Sequence, residues 1–212
     1  MAKYYPIYVD IQDQPVLVVG GGTVALRKVE TLLAYGAIVR IVSPCLVPEL
    51  EALVDNRQCF WSCKNYSDED LQDAVLVFSC TEKEEVNAAV AGQARKQGRP
   101  VNVVDDPVKC SFIVPSIWQQ GDLCIAVSTG GSSPIMARQI RQEIAAHYGQ
   151  ETAAYLNVLK AWRNRAKEGL TPDKRQQFWE TATSPHVREL VRTGRLDEVK
   201  GVIEACFRSL LA

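Results

Sequence analysis

Residues 15–33 constrain this chain more than any other stretch. Val16-Leu-Val-Val19 is an unbroken aliphatic run, which suits a strand buried on both faces. Gly20, Gly21 and Gly22 break it, and Ala25, Leu26, Val29, Leu32 and Leu33 then recur at helical spacing. Strand, glycine turn and helix in that order make a phosphate-binding loop. The spacing Gly20-x-Gly22-x-x-Ala25 fits the dinucleotide fingerprint, with alanine in the permitted last place. Gly20 allows the tight turn, Gly22 lets backbone approach a pyrophosphate, and Ala25 lets helix and strand pack closely. The helix N-terminus presents free N–H groups and the positive end of its dipole to the anion. The competing reading is a glycine-rich strand–helix turn with no ligand.

The rest of the first half continues the same rhythm. Residues 7–11 read as a short opening strand at a sheet edge, and Gly36 closes the first helix. Residues 37–42 form a second parallel strand ending at Ser43-Pro44. An Asp or Glu commonly grips a ribose at this point. Its absence here leaves Ser43 as a weaker partner, and Arg40 nearby keeps NADP in view. A short helix over 48–54, a strand at 59–62, and a helical turn at 67–70 follow. Residues 74–79 form the next buried strand, running into Cys80-Thr81; a helix over 84–97 and a strand over 101–104 complete the set. Strands alternating with helices predict a parallel α/β sheet, with ligands outside the carboxyl ends of the strands. Gly20–Thr23, Ser43–Pro44, Cys80–Thr81 and Asn102–Asp106 then share one rim.

After Pro107 the pattern changes. Residues 111–118 and 123–128 read as two strands joined near Gly121. Residues 129–134 are a polar glycine loop, and 135–148 an amphipathic helix with Pro134 at its first turn. From Gln150 onward the chain reads as helical over 152–167, 172–183 and 185–211, with a break near Gly194.

Composition narrows the function classes. The 212 residues hold 47% hydrophobic and 23% charged residues and carry a net charge of −1, ordinary for a water-soluble protein. No run is long enough to span a bilayer and the start has no signal-peptide pattern, so the expectation is a cytoplasmic protein without membrane contact. Seven cysteines with no CxxC pair read as free thiols, and Cys59 and Cys63 lack partners at zinc spacing, so no resident metal is expected. No basic stretch interleaved with aromatics points to nucleic acid. Charge is uneven: residues 1–137 hold 11 Lys+Arg against 16 Asp+Glu, and residues 138–212 hold 13 against 9. A basic C-terminal part suits an anionic ligand, or is a solvated helix face.

Two stretches carry further chemistry. Asp105 and Asp106 follow a buried strand directly, which suits a general base on the rim; the alternative is an Asp106-Pro107 turn capped by Asp105. In residues 128–138 two glycines flanked by hydroxyls precede a helix, which suits phosphate or carboxylate. Arg138 and Arg141, one turn apart, are placed to fork a carboxylate, or else to decorate a basic surface helix. His147 and His186 have no ligand-spaced companions, and Trp162 and Trp179 sit in apolar helical patterns as core.

Pro15–Lys28 with Gly-Gly-Gly-Thr-Val-Ala-Leu-Arg-Lys, Asn102-Val-Val-Asp-Asp-Pro107, Ser111-Phe-Ile-Val-Pro-Ser116 and Ser128-Thr-Gly-Gly-Ser-Ser-Pro-Ile-Met-Ala-Arg138 occur in order. Together they resemble the precorrin-2 dehydrogenase/sirohydrochlorin ferrochelatase family, the N-terminal module of siroheme synthases without its methyltransferase domain. The resemblance spans essentially the whole chain. It implies a Rossmann-type α/β domain over residues 1–113, a central dimerisation segment over 114–148 and a helical domain over 149–212, assembled as a homodimer. It further implies NAD-dependent oxidation of precorrin-2 to sirohydrochlorin, with Fe²⁺ insertion as an added activity of some relatives. Carried onto this sequence, Asp105 is the catalytic residue, and Gly20, Gly21, Gly22, Thr23, Val24, Ser43, Pro44 and Thr81 meet the cofactor. Asn102, Ser128, Thr129, Gly130 and Arg138 meet the tetrapyrrole. A module that binds NAD(H) without chemistry is the alternative function, and leaves Asp105 and the 129–134 loop without a role.

Overall fold

Strand β1 (Pro15–Val19) runs through the centre of a parallel five-stranded sheet, and this placement explains its unbroken apolar run. The computed structural model describes residues 4–211. The sheet order is β3-β2-β1-β4-β5, with β2 at Ile38–Val42, β3 at Phe60–Ser62, β4 at Leu76–Ser79 and β5 at Val101–Val103. Val16 and Val18 point into one core with Ala25, Val29 and Leu32 of helix α1 (Thr23–Ala34). Leu17 and Val19 point into another with Val90, Ala91 and Ala94 of helix α3 (Glu84–Lys96). Alternation along the strand feeds two helical layers, so every position must be apolar. Helix α2 (Pro48–Asp55) lies between β2 and β3 in the chain.

Two elements differ from the sequence-based expectation. Residues 7–11 form no strand. The chain enters β1 through a turn, in which the Gln14 N–H donates to Ile11 O (3.1 Å) and the Asp13 N–H to Gly36 O (2.8 Å). Both places beside β1 are taken by β2 and β4, so the segment that leads into β1 cannot pair with that strand. Ile7, Tyr8 and Val9 stay exposed, and only Ile11 reaches the core. The strand expected from 111 begins instead at Ser116. Residues 111–112 fold back along β5: the Ser111 N–H donates to Val101 O at 2.8 Å, and Phe112 packs edge-on against Phe78 at 5.4 Å.

The contact pattern divides the chain after Val114 into two compact units. The second unit opens with an antiparallel hairpin of β6 (Ser116–Gln120) and β7 (Leu123–Val127), joined by Gly121-Asp122 with Gly121 at φ +58°. None of these ten strand residues is buried within the chain. Helix α4 (Pro134–Ala145) buries only Ala137, leaving Ile135 71% exposed. The helices α5 (Gln150–Gly169), α6 (Pro172–Ala182), α7 (Pro185–Arg192) and α8 (Leu196–Leu211) instead close around a full core. There the rings of Trp162, Phe178 and Phe207 stand 5.0–5.8 Å apart, and the Tyr155 hydroxyl donates to Ala182 O at 2.6 Å. The break at Gly194 has φ +73°. Among the described residues no helix is long and apolar enough to cross a membrane.

Candidate functional site

The parallel register sets the carboxyl ends of the strands level. Val42, Val19, Ser79 and Val103 form one row across β2, β1, β4 and β5. Immediately beyond it three backbone bonds join neighbouring loops: Gly20 N–H to Val42 O (2.9 Å), Cys80 N–H to Val19 O (2.7 Å) and Val104 N–H to Ser79 O (3.0 Å). All the first-unit residues expected at the site therefore lie on or just past one edge of the sheet, at the point where strand order reverses between β1 and β4.

The three glycines have different work. Gly20 is at φ +117°, and a Cβ there would stand 2.5 Å from Cys80 O. At Gly21 a Cβ would stand 2.0 Å from Cys45 O, while its own carbonyl accepts from Val47 N–H at 2.8 Å. These two let the loops after β1, β2 and β4 close together. Around Gly22 nothing lies within 4 Å of where a Cβ would be. Gly22 is the N-cap of α1 with no side-chain cap, so Thr23 and Val24 begin the helix with N–H groups that no side chain satisfies. An open backbone face at an uncapped helix start fits a dinucleotide pyrophosphate.

The loop after β4 is fixed by a buried side chain that the sequence reading did not single out. Asn87 of α3 accepts from the Ser79 hydroxyl at 2.7 Å and donates to Thr81 O at 3.0 Å; the Thr81 hydroxyl accepts from Lys83 N–H at 3.1 Å. Its signal is one polar residue among Val86, Val90, Ala91 and Ala94 on the helix's apolar face. Beside Gly20, burial pushes the Cys80 thiol up to about 12, with Lys28 pulling weakly the other way, so the thiol is neutral.

Several expected ligand contacts are committed inside the protein. Ser43 is buried, and its hydroxyl donates to Cys45 O at 2.7 Å. Its proton is thus directed into the loop, which leaves the hydroxyl oxygen as the group that could meet a ribose O–H; Pro44 beside it is exposed. Arg40 sits in mid-strand, opposite Leu17 and Phe60, with its guanidinium donating to Gln72 O. Asn102 donates to Phe112 O at 3.0 Å and so holds the 110–112 segment.

The two aspartates separate cleanly. Asp106 Oδ1 accepts from Val108 and Lys109 N–H at 3.2 Å each, and Oδ2 pairs with the Lys109 ammonium, which also meets Glu84 at 2.5 Å. The Lys109 hydrogen bond holds the Asp106 carboxyl below its ordinary range and raises the Lys109 ammonium above its own. Asp105 is exposed, in a left-handed turn at φ +60°, and makes no hydrogen bond or ion pair among the described residues. The turn reading belongs to Asp106, and the available carboxylate is Asp105.

In the second unit the 128–134 loop is closed on itself. Thr129 Oγ1 donates to Ser133 O and accepts from Ser133 N–H, both at 3.0 Å; Ser128 Oγ accepts from Gly130 N–H at 3.1 Å. Ser133 caps α4 through Met136 N–H at 3.2 Å. These hydroxyls hold the loop's shape, and Gly130 and Gly131 leave open space at φ +63° and +90°. Arg138 is exposed without an ion pair among the described residues. No group of three or more His, Cys, Asp or Glu among the described residues is arranged to hold a metal.

Three family models match in succession. A model described as putative NAD(P)-binding covers residues 7–116, sirohaem biosynthesis protein central covers 120–147, and sirohaem synthase dimerisation region covers 155–206. The chain belongs to the putative NAD(P)-binding family, and its later residues match the two sirohaem models. Siroheme synthase of Mannheimia succiniciproducens is 37% identical over 203 residues, 95% of this chain and 43% of the relative. Siroheme synthase of Zymomonas mobilis is 41% identical over 180 residues, 84% and 38% respectively. The chain thus spans less than half the length of the curated relatives it matches. The solved structure of SirC, precorrin-2 dehydrogenase, superposes with a TM-score of 0.76 at 22% identity, over 93% of this chain and 100% of that one, and shares its fold.

The glycine geometry predicts a split between stability and binding. Gly22→Ala should keep the wild-type thermal midpoint but lose NAD affinity in calorimetric titration, because only a ligand would meet the added methyl. Gly20→Ala should lower the midpoint itself; equal behaviour of the two variants would contradict these roles.

The Asp106–Lys109 pair predicts an acid limit. A lowered carboxyl adds stability above its unfolded value of about 3.9, lost as pH falls through the folded value. Asp106→Asn keeps the Oδ1 acceptor and removes the ion pair. Its stability deficit by denaturant unfolding should be constant from about pH 5 to 9 and shrink below about pH 4; a deficit unchanged at pH 2 would count against the pair.

Proposed function

We propose that the chain binds NAD at the strand-end rim of its first unit and oxidises precorrin-2 to sirohydrochlorin. The observation that carries this reading is the unpaired Asp105 carboxylate on the same sheet edge as the open glycine face. Support also comes from the siroheme synthase relatives and from the shared fold of SirC, precorrin-2 dehydrogenase.

Bound NAD supplies a hydride acceptor. The oxidation removes one hydride and one proton from the macrocycle, and Asp105 takes the proton at a carboxylate oxygen. The Gly22 backbone and the start of α1 at Thr23 and Val24 hold the pyrophosphate, while Asn87 keeps Thr81 in place beside them. Ser43 and Gly21 shape the wall that Pro44 presents. With one guanidinium nitrogen of Arg40 engaged by Gln72, the assigned nucleotide is NAD rather than NADP. Arg138 is assigned to a substrate carboxylate, and Ser128, Thr129 and Gly130 to the shape of the loop that precedes its helix. Fe²⁺ insertion would treat the metal as a substrate, with Asp105 as the group available to take pyrrole N–H protons. A module that binds nucleotide without chemistry leaves Asp105 unassigned.

The left-handed backbone at residue 105 dictates the test. Asparagine tolerates that conformation and removes the base, whereas alanine adds strain of roughly 1 kcal/mol. Under anaerobic conditions the wild-type chain should form NADH and sirohydrochlorin from precorrin-2 and NAD, with slower turnover on NADP. Asp105→Asn should bind NAD normally and lose most turnover; near-normal turnover would overturn the assignment.

We also propose a homodimer. Its support is the exposed Ile135 of α4 and the half-buried Ile117, Trp118 and Ile125 of the hairpin, none of which joins a buried core among the described residues, and, separately, the match of residues 155–206 to a dimerisation region. Sedimentation of the intact chain should give twice the monomer mass, and a monomer at micromolar concentration would refute it.

A further inference from the structure

The second unit holds a cavity of about 790 Å³ between α5 and α6, which nothing in the proposed dehydrogenation uses. Its volume falls within the roughly 300–1,000 Å³ typical of small-molecule sites. Leu156, Leu159, Lys160, Arg163, Asn164 and Lys167 line one side, at the spacing of one face of α5. Arg175 and Trp179 come from α6, and Asp122 from the hairpin turn.

The charge balance of this groove is unusual for a chain whose net charge is −1. Four cations face a single carboxylate, and that carboxylate is matched to Lys160 at 2.8 Å. Arg163, Lys167 and Arg175 have no ion pair among the described residues, whereas Arg192, Arg195, Lys200 and Arg208, on α7, α8 and the turn between them, each have an acidic partner. Arg175 is half-buried, and its Nε, like those of Arg40 and Arg99 in the first unit, is buried with no hydrogen-bond partner among the described residues. Leaving such a donor unsatisfied is costly unless an acceptor arrives. Trp179 is half-exposed, with its ring set edge-on to Phe178 at 5.0 Å, so a rigid aromatic wall stands beside the cations.

We propose that this groove binds a polycarboxylate with a flat conjugated body: the carboxylates meet Arg163, Lys167 and Arg175, and the flat face lies against Trp179 and the leucines. Arg163 and Lys167 stand one turn apart on α5 and Arg175 comes from α6, so cations on two helices are offered to more than one carboxylate. Taking that ligand to be a tetrapyrrole rests on the dehydrogenase reading; the preference for a flat polyanion rests on the groove alone. A tetrapyrrole held there would be retained by the second unit before or after oxidation.

The test uses the intact chain and uroporphyrin III, a stable flat polycarboxylate, with citrate as the compact control. Uroporphyrin should quench Trp fluorescence at low salt, and the affinity should fall as salt rises. Arg163→Glu combined with Lys167→Glu, both exposed positions, should weaken binding by about tenfold or more while leaving the thermal midpoint and NAD affinity unchanged. Arg175→Gln, a milder change, should weaken it in the same direction. Undiminished binding in these variants, or no binding by the wild type, would overturn the proposal, as would citrate binding as tightly as uroporphyrin. Asp105→Asn should bind uroporphyrin as the wild type does. Failure of precorrin-2 turnover with uroporphyrin binding intact would therefore count against the dehydrogenase reading and not against the groove.

Discussion

Everything at the rim depends on how closely three loops approach at the end of β1. Two positions without a Cβ let the Cys80 and Cys45 carbonyls come within distances that no side chain permits. The hydrogen bonds from Gly20 to Val42 and from Cys80 to Val19 carry the sheet's ladder one residue past its formal end. The start of α1 is therefore held by the sheet itself, and Gly22 is left as the open position. Packing comes first here, and the open start of α1 is what the packing leaves over.

That order explains what was legible in the sequence. The Val16–Val19 run, the three glycines and the helical spacing after them define strand, turn and helix, because each element's pattern answers to local rules. Most later elements also lie within a few residues of their expected positions. The exceptions depend on neighbours distant in sequence. Residues 7–11 look like a strand but find both places beside β1 occupied. Residues 111–115 look like the start of β6 but are drawn back by Val101 and Phe78.

Side-chain roles were harder to read for the same reason. Ser43, Asn102 and Thr129 are polar residues at ligand-facing places in the sequence, yet their hydrogen bonds close onto carbonyls that only the fold brings near. Asp105 and Asp106 cannot be ranked from their order. Only the turn shows that one carboxylate is consumed by Lys109 and two backbone amides while its neighbour has no partner among the described residues. Asn87 was visible as an interruption of an apolar stripe, but its two partners lie on the strand and loop that precede its helix. The basic face of α5 was present as a charge excess after residue 138, without its depth or its tryptophan.

The left-handed backbone at Asp105 has an evolutionary consequence. Among side chains, aspartate and asparagine tolerate that conformation best, and a single-nucleotide change converts one into the other. Such a descendant would lose the carboxylate at residue 105 while keeping the glycine turn, all three cores and the basic groove. On the proposed dehydrogenase reading it would persist as a folded receptor for the same molecules, carrying them without transforming them. On that reading the boundary between an enzyme and a carrier is one atom wide.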